Sequence, residues 1–496
     1  MKILHDEERC TGCGLCARVC PQMILEVEGE AVRVRDESRC MGCFGCEDEC
    51  PAGAIRILRG PAGEPIQPEP PLDVSACDVV VVGAGPGGLG AAIACARRGL
   101  DVVVCERLPH RRISHHPDGG VLFGVPGIVS VEVDRRKIVF PELEIELPGN
   151  FARRCEEFGL MGPEGIDTQN DFPPGCEGWV GRKDRLCEAL ANEAEKAGAK
   201  LWFNARVEDV LREGGRVTGV RLHGGQEIRA SVTVTADGVR ASTSEKAGMD
   251  VATSDLWYAS VIALEYENAA DLPCRMLYLN GGMQFEETMP PVFGALATTD
   301  VVHVVIALYS QRKSYPGRRP IQQYAARLQE EDPRARRVLG DSLDGARPDF
   351  LNGCRVVFRP RCNTETVGEG VVSVGDAWVD DGEIGNVTAL ANGVHAGDAI
   401  ADALARGKTS KDALAPANDF IRPDLVRMLE KNREMKLLAT ELDEEETRIM
   451  FRFMQHMNYP LMIFGSPARR GWMFTKFVLK NLHRFVMHPG VAKKIM

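Results

Sequence analysis

One cysteine pattern is written twice within the first fifty residues, as CTGCGLCARVCP and CMGCFGCEDECP. Each run reads C-x2-C-x2-C-x3-C-P. The first supplies Cys10, Cys13, Cys16 and Cys20, then Pro21; the second supplies Cys40, Cys43, Cys46 and Cys50, then Pro51. This spacing dictates both a ligand and the loops that hold it. Three closely spaced thiolates wrap one iron–sulfur cube, and the fourth of each run reaches the other cube. The expected sets are Cys10, Cys13, Cys16 and Cys50 for one [4Fe–4S] cluster, and Cys40, Cys43, Cys46 and Cys20 for the second. Gly12, Gly14, Gly42 and Gly45 would let the backbone approach the sulfides. Zinc also takes paired cysteines. The third Cys and the Cys-Pro ending, both repeated, favour iron and sulfur. Disulfides fit less well, because such crowded thiols in a cytosolic chain read as metal ligands.

A chain of 496 residues has room for two or three domains. No run approaches the roughly eighteen apolar residues of a membrane-spanning helix. The N-terminal MKILHDEERC lacks the apolar core of a secretory signal. A cytoplasmic protein without a nucleic-acid partner is expected. Its nine further cysteines are scattered and read as small buried apolar side chains. The formal net charge of −11 is unevenly placed: after Glu446 there are nine Lys and Arg and no Asp or Glu. That asymmetry calls for a partner or a surface.

Residues 59–75, RGPAGEPIQPEPPLDVS, carry five prolines and read as a stiff connector. CDVVVVGAGPGGLGAAIACARRGLDVVVCER follows. An apolar β-branched strand, then G-x-G-x-x-G at Gly83, Gly85 and Gly88, an Ala-rich helix and a second strand form a dinucleotide-binding βαβ unit. Gly83 permits the tight turn, Gly85 lets a pyrophosphate touch the backbone, and Gly88 lets helix and strand pack. Glu106, about twenty residues on, would accept from ribose hydroxyls, with Arg107 beside it at the cofactor.

Two later stretches choose FAD over NAD. VTVTADGVRAS places Asp237 and Gly238 after an alternating strand, and VVSVGDAWVDDGEIGNVTALANG places Gly375 and Asp376 after an apolar one. With these motifs, residues 76 to about 405 resemble the FAD-dependent oxidoreductases that include geranylgeranyl reductases, electron-transfer-flavoprotein:quinone oxidoreductases and aromatic hydroxylases. The cysteine runs resemble those of bacterial ferredoxins. The resemblance implies that Asp376 binds the ribityl chain, that Asp237 supports the cofactor site, and that Arg182 in GWVGRKDRLCEAL nears the FAD. Gly385 or Asn386 would start the helix facing the flavin. The chain departs from the reductases in its acidic loop at Asp380, Asp381 and Glu383, and it lacks their aromatic substrate motif. His115 and His116 in SHHPDGG are candidate proton donors, the alternative being two solvated loop histidines.

The expected fold is α/β. It comprises a two-cluster ferredoxin-like module (1–58), a proline-rich linker (59–75) and a Rossmann-type FAD-binding domain (76–405) with an antiparallel substrate-side sheet inserted at about 251–354. A helical region (406–496) ends in a basic tail. Clusters move single electrons and FAD holds one or two, so the pair reads as a relay with a converter at its end. The expected function is electron transfer between a ferredoxin or electron-transfer-flavoprotein type partner and a hydrophobic acceptor, a quinone or an isoprenoid double bond. A non-catalytic subunit of a larger redox complex and an FAD-dependent hydroxylase are the alternatives. In the tail, Phe474, Phe477, Val478, Leu482 and Phe485 recur at helical spacing beside Lys476, Lys480 and Arg484. This suits an anionic membrane surface on the cytoplasmic side. A core-facing helix with a solvated basic face, or an acidic partner protein, would give the same pattern.

Overall fold

The computed structural model describes residues 1–58, 72–109, 121–125, 127–134, 136–162, 167–171, 178–267, 275–279, 292–298, 301–331, 333, 350–378, 385–455, 457–458 and 467–495. His115, His116, Asp380, Asp381 and Glu383 lie outside the described residues, as do residues 59–71 of the linker.

In the N-terminal module, Lys2–His5 pairs antiparallel with Ile55–Leu58, which closes the module's two ends on each other. A hairpin joins Leu25–Glu28 to Ala31–Val34. Each cysteine run turns into a short helix, Leu15–Val19 or Gly45–Asp48. To make that turn, the chain passes through the left-handed region at Gly14 (φ 70) and again at Phe44 (φ 59), with Gly12 and Gly42 also left-handed at φ 65. Gly45 differs from the other three glycines in its backbone. It is the first helical residue, and the strained position falls to a phenylalanine. A left-handed residue with a Cβ costs about 1–2 kcal/mol. Phe44 is 1% exposed, and burial of a large apolar side chain returns about 1.5–3 kcal/mol. The Arg107 guanidinium, 4.2 Å from the ring centroid, adds to that.

The strand Ala76–Val82 ends in four buried valines, as a strand covered on both faces requires. It pairs parallel with Val102–Cys105 on one side and Glu227–Thr235 on the other. The sheet runs Lys200–Trp202, Val102–Cys105, Ala76–Val82, Glu227–Thr235, Arg216–Leu222, Val207–Glu213. Val371–Ser373 lies parallel beside the last residues of Glu227–Thr235. Val82, Thr235 and Ser373 thus end side by side. The glycine fingerprint, Asp237 and Gly375 follow them directly, at the carboxyl edge where parallel sheets take their ligands.

The helix Pro86–Arg97 starts from the fingerprint and packs backbone to backbone on Gly385–Ala405. A Cβ on Gly90 would lie 2.5 Å from the Leu390 carbonyl oxygen, one on Gly393 1.9 Å from that of Gly87, and one on Gly397 2.7 Å from that of Ala91. Only glycine allows this approach.

The second large sheet runs Asp167–Asp171, Glu157–Met161, Arg275–Leu279, Val292–Thr298, Val301–Ser310, Trp257–Glu267, Phe350–Phe358. Most of it falls in the expected insertion. The pair Glu157–Met161 and Asp167–Asp171 joins from far upstream, through a parallel contact with Arg275–Leu279.

The C-terminal region is helical: Pro423–Glu441, Glu444–Met454, Pro467–Met487 and Pro489–Ile495. Phe477 joins Ile449, Phe453, Met454 and Val491 in one core. Asn481, fully buried, donates to the carbonyls of Phe453 and Phe477 at 3.1 and 3.0 Å. The tail's apolar residues are therefore divided. Phe477 faces inward with Phe485 and Val478 packed at its edge, whereas Leu482 is 58% exposed. Trp472, Leu479 and Val486, at 66, 69 and 77%, extend that outward face. Among the described residues no helix is long and apolar enough to cross a membrane.

Candidate functional site

The eight motif cysteines fall into two groups. Cys20, Cys40, Cys43 and Cys46 line one small cavity, closed by Ile3, Ile24, Met41, Phe44 and Ile57. The thiols whose charge bears on Cys16 are those of Cys50, Cys13 and Cys10. The fourth cysteine of each run thus stands with the other run. Burial pushes the Cys16 thiol up to about 11, with the neighbouring thiols adding to it. Burial and then Cys20 push Cys43 up to about 12. Such thiols keep their protons at neutral pH until a metal displaces them. Among the described residues no three His, Cys, Asp or Glu side chains converge on one point as a single ion requires. Zinc draws its thiolates in to about 2.3 Å; thiols standing around a space suit a cube.

The dinucleotide crevice is built from the fingerprint outward. Gly83 is left-handed (φ 105), and a Cβ there would lie 2.3 Å from the Ala236 carbonyl oxygen. A Cβ on Gly88 would lie 2.1 Å from that of Gly83. Gly85 is different: no atom stands within 4 Å of the place its Cβ would take. This open space lies at the start of Pro86–Arg97, whose first turn has no capping side chain and no acid. An open, uncapped helix start of this kind suits an anion. Glu106 closes one side. Its Oε2 accepts from the Ala84 N–H at 2.7 Å and its Oε1 from Leu108 N–H at 2.9 Å, and a carboxylate retains further acceptor sites.

On the other side, Asp237 Oδ2 accepts from Thr243 N–H at 2.7 Å and Ser242 Oγ at 3.1 Å. Its Oδ1 is buried without a partner, and burial pushes the carboxyl above its ordinary value. An orphaned oxygen at this edge fits a site that receives a ligand's hydrogen-bond donors. Gly375 opens the turn Gly375–Ala377, which includes Asp376. Asn392 holds that turn, its Oδ1 accepting from Gly375 N–H and Trp378 Nε1–H, both at 2.8 Å. Gly385 and the buried Asn386 begin the long helix, and Asn386 Nδ2 donates to Val121 carbonyl at 3.4 Å. Val121–Phe123 pairs with Gly178–Gly181, which leads to Arg182. Arg182 itself pairs with Asp184 at 3.2 Å.

Residues 2–51 match the 4Fe-4S dicluster domain family, and residues 78–255 match the FAD dependent oxidoreductase family. The chain is an FAD-dependent oxidoreductase carrying a 4Fe–4S dicluster domain. Its cofactors are FAD and two [4Fe–4S] clusters. The digeranylgeranylglycerophospholipid reductase of Methanothrix thermoacetophila is 27% identical over 391 residues, 76% of this chain and 91% of that one. YgcN of Escherichia coli, a probable electron transfer flavoprotein-quinone oxidoreductase, is 31% identical over 175 residues, 35% of this chain and 38% of that one. The solved structure of a geranylgeranyl bacteriochlorophyll reductase-like protein from Thermoplasma acidophilum superposes with a TM-score of 0.63 at 20% identity, covering 83% of this chain and 99% of that one. At that identity the likeness speaks for the fold alone.

The oxidoreductase joins its two halves through a junction that the sequence does not announce. Glu47, Asp48 and Glu49, between the last two motif cysteines, sit among cations of the flavin domain. Arg206 pairs with Glu47 at 2.5 Å. Arg107 and Arg240 pair with Asp48 at 2.9 and 3.1 Å. Arg240, Lys313 and Arg355 reach Glu49 at 3.2, 2.5 and 3.3 Å. Backbone bonds add to this, from Tyr315 N–H to Arg18 carbonyl at 2.9 Å and from Ile321 N–H to Pro21 carbonyl at 2.8 Å. Arg107, expected at the cofactor, has its guanidinium at this junction. Burial alone would push the Asp48 carboxyl up; Arg240, Arg107 and Arg206 together hold it below the usual carboxylate range.

Two further groups of the oxidoreductase carry no sequence signal. The hydroxyls of Thr235, Ser244 and Ser373 stand 2.7–3.0 Å apart and tie together the strand ends that lead into Asp237 and Gly375. On the second sheet, His303 faces Glu265 at 3.8 Å across paired strands, with both ring nitrogens buried and without a hydrogen-bond partner.

Proposed function

We propose that this oxidoreductase passes electrons between its clusters and FAD, and between FAD and a hydrophobic acceptor, a quinone or an isoprenoid double bond. The observation that carries this reading is the junction. The cysteine module is seated against the flavin domain by buried ion pairs, so the two redox units form one unit. Cys10, Cys13, Cys16 and Cys50 would hold the outer cluster, and Cys20, Cys40, Cys43 and Cys46 the inner one. Gly83, Gly85, Gly88 and Glu106 would hold the ADP half of FAD; Arg182, Asp237, Gly375, Asp376, Gly385 and Asn386 would hold the remainder. Bound FAD supplies the exchange between single and paired electrons. The residues position it, shield it from water and accept its hydroxyl protons in hydrogen bonds. Both acceptors named for the relatives, a digeranylgeranyl phospholipid and a quinone, are hydrophobic.

The tail supports an acceptor reached at an anionic membrane on the cytoplasmic side. Its exposed Trp472, Leu479, Leu482 and Val486 share the helix with Lys476 and Lys480, and Lys476 Nζ lies 5.1 Å from the Trp472 ring. An apolar stripe with flanking lysines and a tryptophan is what an interfacial helix requires. The partner on the other side is an electron carrier of the ferredoxin or electron-transfer-flavoprotein type.

The test is anaerobic stopped-flow reduction of the flavin, with a low-potential one-electron donor or with NADPH, in wild type and Cys40→Ser/Cys43→Ser. The donor should bleach the flavin rapidly in wild type and slowly in the variant, with NADPH slow in both. Equal rates with the donor, or fast bleaching by NADPH, would reject the reading.

A further inference from the structure

We propose that Arg355 makes the Cys20, Cys40, Cys43 and Cys46 cluster the collecting end of the wire, so that electrons entering at the outer cluster come to rest beside the flavin domain. This rests on the relay described above. It adds a direction to it.

The two cysteine groups stand in different surroundings. Cys13 of the outer group is exposed. The inner group's loop meets the flavin domain at Met41 and Gly45. Met41, 1% exposed, fills the space that a Cβ on Gly353 would need, with its side chain 2.6–2.7 Å from that point. Gly45 touches both sides of the contact: its Cβ position is 3.5 Å from Arg355 Cδ and 3.7 Å from Cys43 Sγ. The stem of a buried arginine and a cluster ligand therefore flank the same residue.

The charge on Arg355 is poorly matched. Its side chain is 2% exposed. Among the described residues its one carboxylate contact is Glu49, at 3.3 Å, and Glu49 also serves Arg240 at 3.2 Å and Lys313 at 2.5 Å. Its other contacts are the Lys313 carbonyl and the ring of Tyr258, 4.9 Å away. Around the helix Gly45–Asp48 and Glu49, five cations face three carboxylates. A buried charge without a full partner is costly. The negative group left to Arg355 is the thiolate-ligated cluster. A reduced cluster carries one more negative charge than an oxidised one, and net charge is among the terms that set cluster potentials. Arg355 acts through a low dielectric, where a charge counts for more. The charged residues beside the outer group, Glu7, Glu8, Arg9 and Glu30, are exposed, and their charges are screened by water.

The step itself is a single electron transfer. A low-potential one-electron donor reduces the outer cluster by one electron. The outer cluster is reoxidised as the inner one is reduced, and no bond or proton changes place.

The test is an anaerobic redox titration followed by EPR, on the full-length iron-loaded protein and on Arg355→Gln and Arg355→Lys. The cluster whose signal is lost in Cys43→Ser identifies the inner one. Arg355→Gln should lower the inner midpoint and leave the outer one in place, and Arg355→Lys should restore most of the difference. If Arg355→Gln loses iron, Arg240→Gln serves instead: it releases Glu49 to Arg355 and should lower the same midpoint. Unmoved midpoints in an iron-replete variant, an equal shift of both, or no rescue by lysine would overturn the assignment. Absence of cluster signals from wild type would instead overturn the relay on which it rests.

Discussion

Replacing Asp48 with alanine tests whether the junction holds the two halves together. Asp48 receives Arg107 at 2.9 Å and Arg240 at 3.1 Å, and its side chain is 13% exposed. Breaking a buried pair by removing one partner costs about 3–5 kcal/mol. Here the arginines keep some water, at 23 and 18% exposure, and Arg240 keeps Glu49. The loss should therefore be about 2–4 kcal/mol. It should fall on docking and in part on the module's own fold, because the core of Val32, Phe44, Ile55 and Ile57 takes in Leu108 of the flavin domain. At the lower figure the undocked population rises roughly thirtyfold. Proteolytic release of the module would follow the undocked form, and urea unfolding read at the flavin and at the cluster absorbance would show two transitions in place of one. Asp48→Ala combined with Arg240→Ala should show a coupling of about 0.5–3 kcal/mol. Because the pairs are buried, raising salt to 0.5 M should release the module far less than the substitution does. Wild-type cleavage rates and a single transition within about 0.5 kcal/mol of wild type would show that the ion pairs do not hold the halves together.

Gly85→Val should empty the flavin site and leave the fold and the iron content intact, since a Cβ there has open space around it; retention of full flavin absorbance would refute the pyrophosphate site. Gly88→Ala, by contrast, should lower the melting temperature, because its Cβ would press on the Gly83 carbonyl; an unchanged melt would refute the packing argument. Burial holds Asp237 above its ordinary pKa, so the folded flavin-free protein binds this proton more tightly than the unfolded chain, and stability falls as pH rises from about 4 toward the folded value. Asp237→Asn removes that dependence. Its melting temperature should gain on wild type between pH 4 and 7, and a constant difference across that range would count against the buried carboxyl. Leu479→Glu/Val486→Glu should cut sedimentation with anionic vesicles at least tenfold while leaving flavin and iron in place; equal sedimentation would remove the membrane reading.

What the sequence reveals follows how local each cause is. The fingerprint is legible because strand, turn and helix are contiguous and each glycine answers one steric demand. The left-handed turn at Gly14 is legible for the same reason. Its counterpart at Phe44 is not, since it depends on Arg107 arriving from another part of the chain. The junction is opaque for a related cause. CEDEC reads as a solvated acidic turn, and Arg107, Arg206, Arg240 and Arg355 are spread over some 250 residues. The hairpin Glu157–Asp171 alternates in no way that names a parallel partner a hundred residues on. In the tail, periodicity identifies the helix but not which of its apolar residues turn inward; Phe477 and Leu482 are five positions apart and end on opposite sides.

The glycine-lined contact between Pro86–Arg97 and Gly385–Ala405 has a consequence for how such a protein changes over time. Two helices pressed main chain to main chain have little room to slide or tilt, and almost any substitution at Gly90, Gly393 or Gly397 forces them apart. That half of the molecule is frozen against drift. In the second sheet the strands are held by their backbone ladders, and apart from Gly353 against Met41 the side chains on its faces can be exchanged at similar volume. A lineage seeking a new acceptor, or a library built to find one, has its freedom in the sheet and its fixed frame in the helix pair.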